Sequence, residues 1–405
     1  MQADLLREIS REEYSTLFKE SREPSLLQSP AWPEIKRDWA PRRFVYEREG
    51  RPRALAQLLL RPFPLGQKLA YLALGPMLLS VGEEGDRLAC LAALATELKR
   101  DRGCFLFKVQ PPVLRKVFPL GEEEPEADEA RDHAFLSEMR ELGFVHTGLE
   151  RDLASTIQPR YQAVIYREDW QADQYAKLRY NLRQLERREV SVRKADPSEL
   201  ELFLRCIECT EARQAINLRD KEYFQRFLAA YPESAQIFLA EIDAPEGRQK
   251  AEAELERLAA EVQNCPEHAQ KKRRQLEEQL SSAEKMALFF RELGEVGRET
   301  IAAGLLVHLG ALSELPYAGT DEKYFNVPAS WGIYNAVIED AFQNGAERLN
   351  LGGIDGHFDD GLSRFKAHFN PRIEENYGEF NLPLAPLRAR LFDFLMRMRQ
   401  KFRKN

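Results

Sequence analysis

Residues 336–353 read AVIEDAFQNGAERLNLGG. The stretch is an amphipathic helix, a terminating glycine at Gly345 and a short apolar strand. Glycine at that place supplies the left-handed residue that ends a helix and turns the chain back. The same unit occurs twice upstream. DRLACLAALATELKRD is a helix followed by Gly103 and the strand CFLFKVQPP, and FLSEMRELGFVHTG repeats the order around Gly143. Strands alternating with helices predict mixed α/β layers. Recurrence in both halves of the 405-residue chain predicts two similar α/β domains. That length also exceeds one ordinary core and suits two domains of roughly 150–200 residues.

Other segments fill in the frame. Segment 1–40 reads as helix, turn, helix, ending in SPAWPEIKRDWA. FVYEREGRPRALAQLLLRPFP reads as a hairpin turning at Glu49-Gly50-Arg51. KLAYLALGPMLL is a strand that breaks at Gly75-Pro76. The domain boundary is expected near Gln158-Pro159-Arg160. Within 246–293, Ala251, Leu255, Leu258 and Val262 step by heptad-like intervals. After Asn264-Cys265-Pro266 the stepping resumes at Leu276, Leu280, Ala283 and Ala287. An antiparallel coiled-coil hairpin is the simplest object with that seam. Lys271, Lys272, Arg273 and Arg274 near its tip favour a polyanion partner, against the plainer reading of a solvated arm.

Composition narrows the function. Net charge is −7, so a nucleic acid or membrane must be met by a local basic patch. Cys90, Cys104, Cys206, Cys209 and Cys265 form no framework, which suits a reducing cytosol. The lone Cys-x-x-Cys in RCIECTEAR reads as part of an amphipathic helix. The N-terminus is polar, and no apolar run nears the roughly 18 residues of a spanning helix. The last 20 residues carry Arg388, Arg390, Arg397, Arg399, Lys401, Arg403 and Lys404, opposed by Asp393. Leu387, Leu391, Phe394, Leu395, Met398 and Phe402 share one helical face. Such a helix can rest on an anionic membrane or pack on the first domain.

The chemistry concentrates in LGGIDGHFDDGLSRFKAHFNP, residues 351–371. Asp355, His357 and Asp359 begin a calcium-loop pattern that the rest does not continue. His357 and His368 lack the partners of a zinc site. No Walker loop is present, nor the Gln/Arg-x-x-Gly-x-Gly/Ala loop that holds coenzyme A pyrophosphate. What remains is Lys366 in FKAHF, a lysine between aromatics that can meet a developing oxyanion or a phosphate. The plainer reading is a surface lysine.

YAGTDEKYFNVPASWGIYNAVIEDAFQNGAERLNLGGIDG with GLSRFKAHFNPRIEENYGEF resembles the Fem family (FemABX), as do SPAWPEIK, QPRYQAVIYRE and the helical hairpin. Motif spacing is closest to FemX-type members. The resemblance implies two GNAT-like acyltransferase domains: residues 1–158 plus 380–405, and 159–379 with the hairpin inserted. It implies transfer of an amino acid from aminoacyl-tRNA to the stem-peptide amine of a peptidoglycan precursor. The acceptor is either UDP-MurNAc-pentapeptide or lipid II, and no cofactor beyond the tRNA co-substrate is expected. The first domain would hold the precursor and the second the aminoacyl-tRNA.

Carried over by position, Lys36 grips the precursor pyrophosphate, and Arg219 and Tyr223 face the nucleotide-sugar. Tyr317 lines the cleft, and Lys366 meets the tRNA end and stabilises the transition state. Gly353 and Asp355 form the lip of the site. Position 110 departs from the family pattern, with Gln110 where an acid often precedes the proline. Physics supports the set, because a diphosphate needs fixed cations and arginine binds it bidentately. The competing readings are an acyl-CoA N-acyltransferase and a non-catalytic coiled-coil adaptor.

Overall fold

The computed structural model describes residues 4–214, 219–392 and 394–395. The chain begins with β1 (Leu5–Glu8), α1 (Arg11–Phe18) and α2 (Trp32–Ile35). There follow β2 (Ala40–Arg48), β3 (Arg51–Phe63), β4 (Gln67–Ala73), β5 (Met77–Leu78), α3 (Glu84–Arg100) and β6 (Cys104–Gln110). Next are β7 (Leu114–Pro119), α4 (Glu129–Glu141), β8 (Val145–His146), β9 (Tyr161–Tyr166), α5 (Ala176–Glu186) and β10 (Val190–Lys194). The second half continues with α6 (Leu200–Gln214), α7 (Lys221–Ala230), β11 (Ala235–Asp243), α8 (Ala244–Gln263) and α9 (Gln270–Glu292). It ends with β12 (Arg298–His308), β13 (Leu312–Thr320), α10 (Ala329–Gln343), β14 (Arg348–Ile354), α11 (Gly361–Lys366), β15 (Arg372–Asn376) and β16 (Phe380–Pro383).

These strands form two mixed sheets. The first runs β1-β2-β3-β4-β6-β16-β8, with β5 on β3, and the second runs β10-β11-β12-β13-β14-β9-β15-β7. Each contains one parallel strand–helix–strand unit, β4-α3-β6 and β13-α10-β14. The first and third helix–glycine–strand units of the sequence are these two. Gly143 and Gly345 have φ of +89° and +87°, so there the left-handed requirement holds. Gly103 differs. Its φ is not positive, and a Cβ there would lie 2.6 Å from the Gly66 carbonyl oxygen. Glycine at 103 serves close approach of two loops, and α3 ends at Asp101.

The sheets exchange strands. Phe380–Pro383 returns to the first sheet beside β6, whereas β7, from the N-terminal half, pairs with β15 in the second. The expected boundary near 158–160 falls just before β9. The hairpin turn holds Glu49 and Gly50 at φ of +54° and +73°, as a two-residue turn between twisted strands requires. The N-terminal segment also adds β1, an edge strand too short and too polar to read from the sequence.

In the second domain the sheet is covered on both faces, because successive residues of a strand point to opposite sides. Along β12, Ala302 and Leu306 join the core with α10, while Ala303, Leu305 and Val307 join α6 and α7. The helical arm is inserted between the neighbouring strands β11 and β12. Leu258, Cys265, Leu276 and Ala283 form a separate cluster along its outer part. At its base, Ala251, Ala287 and Phe290 belong to the domain core. Among the described residues no helix is long and apolar enough to cross a membrane.

The C-terminal segment is helical over 386–392. Ala389 and Phe392 pack on Phe63, Leu69, Phe105 and Leu106 of the first domain. Leu387, Leu391, Phe394 and Leu395 face outward. Asp393, Arg397, Met398, Arg399, Lys401, Phe402, Arg403 and Lys404 lie outside the described residues.

Candidate active site

The site grows from a register. β13 and β14 pair in parallel only over Leu312–Glu314 and Arg348–Asn350, and then part. Both strands gain an extra residue at that point. In β13, Glu314 pairs with Val307 and Tyr317 with Leu305, which leaves a bulge at Leu315-Pro316. Pro316 has no N–H to give a ladder, so a bulge is where it fits. In β14, Asn350 pairs with Val164 and Gly353 with Gln162, a second bulge containing Gly352 at φ +86°. Bulges bend a strand and re-aim its side chains. Leu315 consequently joins the core with α10, while Tyr317 turns toward α6 and α7.

Lys366 sits in the opening between the strands. It ends α11, is 2% exposed, and donates from Nζ to the carbonyls of Gly352 and Gly353, each at 3.1 Å. An ammonium has three N–H groups, so two are spent on the bulged strand and one remains. Burial pushes the lysine down to about 7, against an upward pull from Asp360. A phosphate or oxyanion placed beside it favours the charged form again.

A cavity of about 650 Å³ lies beside this opening. The outer end of β13 (Ala318, Thr320), the start of α10 (Ser330, Trp331) and Leu362 and Phe365 of α11 enclose it. Gly319 is required there, since a Cβ would lie 2.4 Å from the Cys206 carbonyl oxygen of α6. The sequence reading did not single out Ser330 or Trp331, and named Phe365 only as an aromatic neighbour of Lys366 in FKAHF. Their signal was a helix start beside aromatic residues.

The second part of the site spans the domain interface. The first domain contributes Lys36, at the end of α2, with Nζ 4.9 Å from the Trp32 ring centroid and 5.8 Å from that of Tyr223. Arg219 lies over Tyr223 at 5.2 Å, and Tyr317 donates a hydrogen bond to the Tyr223 hydroxyl at 2.9 Å. Four of the residues named from the sequence therefore form one cluster. Burial, and then the nearby Arg219 charge, push Lys36 down to about 8. Burial raises Tyr223 and Tyr317, opposed in both by Arg219. Two cations and two hydroxyls held together are the groups that an anion such as a diphosphate can accept hydrogen bonds from.

The interface is held by Glu314. It accepts a hydrogen bond from the Leu26 N–H at 2.9 Å, and burial pushes it up to about 7. Ser29 and Tyr231 also join across it. Asp355 holds the turn before α11, accepting from the N–H groups of Leu153 and His357. Gly353 meets Lys366 through its carbonyl and lies against Pro159, which leaves no room for a Cβ. Gln110 is fully buried and donates to the Gln158 carbonyl. Among the described residues no group of three His, Cys, Asp or Glu side chains could hold a metal ion. Cys206 and Cys209 lie on α6, as their amphipathic pattern predicted.

Two mixed sheets with one parallel unit apiece, exchanging strands β7 and β16 and carrying a helical arm, define a two-domain α/β fold. The chain belongs to the FemAB family, whose model matches residues 9–397. It is 25% identical over 403 residues to the lipid II:glycine glycyltransferase of Staphylococcus aureus strain bovine RF122 / ET3-1, covering 93% of this chain and 92% of that one. Identity and coverage are the same for the protein of that name from strain MRSA252. Among solved structures, the crystal structure of FemX superposes with a TM-score of 0.72 at 23% identity, covering 96% of this chain and 99% of that chain.

Proposed function

We propose that the protein is an aminoacyltransferase of cell-wall synthesis. It moves an amino acid from aminoacyl-tRNA to the stem-peptide side-chain amine of a peptidoglycan precursor, forming an interpeptide bridge. The observation that carries this reading is the parted strand pair in the second domain with Lys366 at its opening. In this reading the aminoacyl ester enters there, and its carbonyl oxygen meets the third N–H of Lys366.

The acceptor amine attacks the ester carbon, forming a C–N bond and a tetrahedral oxyanion. Collapse breaks the C–O bond, and the ribose oxygen leaves with the proton the amine gives up. An activated ester needs little beyond alignment and charge stabilisation, so no cofactor is required. Lys36 and Arg219 hold the precursor diphosphate, with Tyr223 and Tyr317 beside it. The relatives named for lipid II, together with the outward apolar residues Leu387, Leu391, Phe394 and Leu395, favour the lipid-linked acceptor and a peripheral membrane contact. The test is incubation with charged tRNAs and each precursor, followed by weighing the product. A mass gain of one or more amino-acid residues is expected. No gain with any charged tRNA, but acyl transfer from an acyl-CoA, refutes the reading.

A further inference from the structure

The helix α5 carries a row of cations that its own fold does not use. Leu178, Leu182 and Leu185 turn inward. On the opposite face stand Arg179, Arg183 and Arg187, four residues apart and all exposed, with Lys177 at the edge and Tyr180 beside them. Four residues of helix rise about 6 Å and turn about 40°, so Arg179, Arg183 and the cap residue Arg187 form a row that slants around the outer side of the helix. None of these four cations forms an ion pair with a carboxylate among the described residues. Some arginines elsewhere are doubly paired: Arg7, Arg42 and Arg193 each bridge two carboxylates. The α5 cations instead have neutral neighbours. Arg187 donates to the Ser282 hydroxyl at 2.8 Å, and Lys177 Nζ lies 3.1 Å from His368 Nε2. Glu186 is the helix's one carboxylate.

Position gives the stripe its meaning. Lys177, in the first turn of α5, meets His368, which stacks on Trp331 at the edge of the 650 Å³ cavity, two residues from Lys366. The other end reaches Ser282 of α9, at the side of the helical arm. We propose that this face of α5 is the surface on which the phosphate backbone of the RNA donor lies, leading its acylated end to the cavity. The proposal rests on the reading that the donor is an aminoacyl-tRNA. Unpaired arginines match phosphate oxygens, and an exposed tyrosine can stack on a base. The stripe has no apolar companions beyond Tyr180, which favours RNA over a lipid surface. The basic tip of the arm is the weaker candidate, because Arg273 and Arg274 are already paired with Glu277 and Glu278.

The test is binding of bulk deacylated tRNA by the full chain across a salt series. The exposed double variant Arg179→Gln/Arg183→Gln should lose about tenfold or more in affinity. It should also flatten the slope of log K against log salt by about two, one for each lost phosphate contact. A second variant, Lys177→Gln/Arg187→Gln, should behave alike. If wild type binds tRNA and both variants match its affinity and slope, the surface is wrong while the proposed function stands. If wild type binds no tRNA, both readings fall. If the variants lose binding to phosphatidylglycerol vesicles and keep tRNA binding, the surface belongs to a membrane and the proposal is overturned.

Discussion

Replacing Lys366 with Met separates the charge of this side chain from its bulk. In the folded protein the lysine releases its proton at about 7, against an ordinary value of 10.5. Between those two values the unfolded chain holds a proton that the folded one does not. Stability of wild type therefore rises with pH across that window, by about 1.4 kcal/mol per unit. Below pH 7 the penalty for burying the charge is present in full, on the order of 5 kcal/mol. Met retains the apolar stem and has no proton to lose, but forfeits the two hydrogen bonds to Gly352 and Gly353. Each is worth about 1 kcal/mol. The variant should be the more stable protein at pH 6, by a few kcal/mol. From pH 7 to 9 wild type should gain on it by about 2.3 kcal/mol. Urea unfolding of both proteins across that range measures the difference, since titrations common to both cancel. The same variant should turn over about 10²-fold or more slowly in single-turnover assays, as for loss of one oxyanion donor. Parallel stability profiles would mean that Lys366 titrates like an exposed lysine and that the opening is wet. A wild-type rate would remove Lys366 from the chemistry.

Lys36→Ala and Arg219→Ala should each weaken precursor binding by about 10- to 150-fold, as loss of a charge-assisted contact implies; calorimetry with the precursor measures this, and unchanged affinity in both would sink the receptor assignment. Glu314→Gln can still accept from the Leu26 N–H but has no charge to bury. Burial holds the wild-type group up at about 7 rather than 4.5, so wild type loses stability as pH rises from 4.5 to 7. At pH 8 the variant should be the more stable, by on the order of 3 kcal/mol in urea unfolding. Gly319→Ala should lower the melting temperature by several degrees, because its Cβ meets backbone of α6 that cannot yield. Removing the outer arm, residues 255–283, should leave both domains folded by circular dichroism and tRNA affinity within a few-fold of wild type. Removing 246–292 should not leave them folded, because Ala251, Ala287 and Phe290 go with it.

What the sequence made legible was local. The helix–glycine–strand units, the Glu49-Gly50 turn and the seam of the arm each follow from a few adjacent residues, and all are present. Gly103 has its glycine for another reason, because approach to Gly66 depends on a loop far off in the chain. The exchange of β7 and β16 between sheets was hidden for the same cause: strand pairing at long range leaves no mark on either segment alone. Of the site, Lys36, Arg219, Tyr223 and Tyr317 were found together through family resemblance. Nothing in their spacing announces that α2 packs on α7. The bulge at Pro316 had a visible signal, a proline inside an otherwise continuous strand. The row Arg179, Arg183 and Arg187 had one as well, a four-residue spacing on a helix, but a charge row says nothing of its neighbours until the fold puts Ser282 beside Arg187 and His368 beside Lys177.

On the proposed reading, the two copies of the parallel unit also explain why the chemistry falls on one side. In the first domain β4 and β6 stay paired from Lys68 and Cys104 to Ala73 and Gln110. Gln28 fills the adjoining gap, donating to the carbonyls of Gln57 and Ala73 and accepting from the Gln57 N–H. The two strands do not part there as β13 and β14 do. In the second domain the pairing stops after three residues and the carbonyls of Gly352 and Gly353 turn to Lys366. On that reading, an acyl donor that needs a strand edge and a buried cation finds both in the second domain. The first domain then acts at the interface, where α2 carries Lys36 across to Tyr223. On the proposed reading, the acceptor is gripped by both domains and the donor by one. Loosening the interface at Glu314 should consequently weaken precursor binding before it disturbs the opening that holds Lys366.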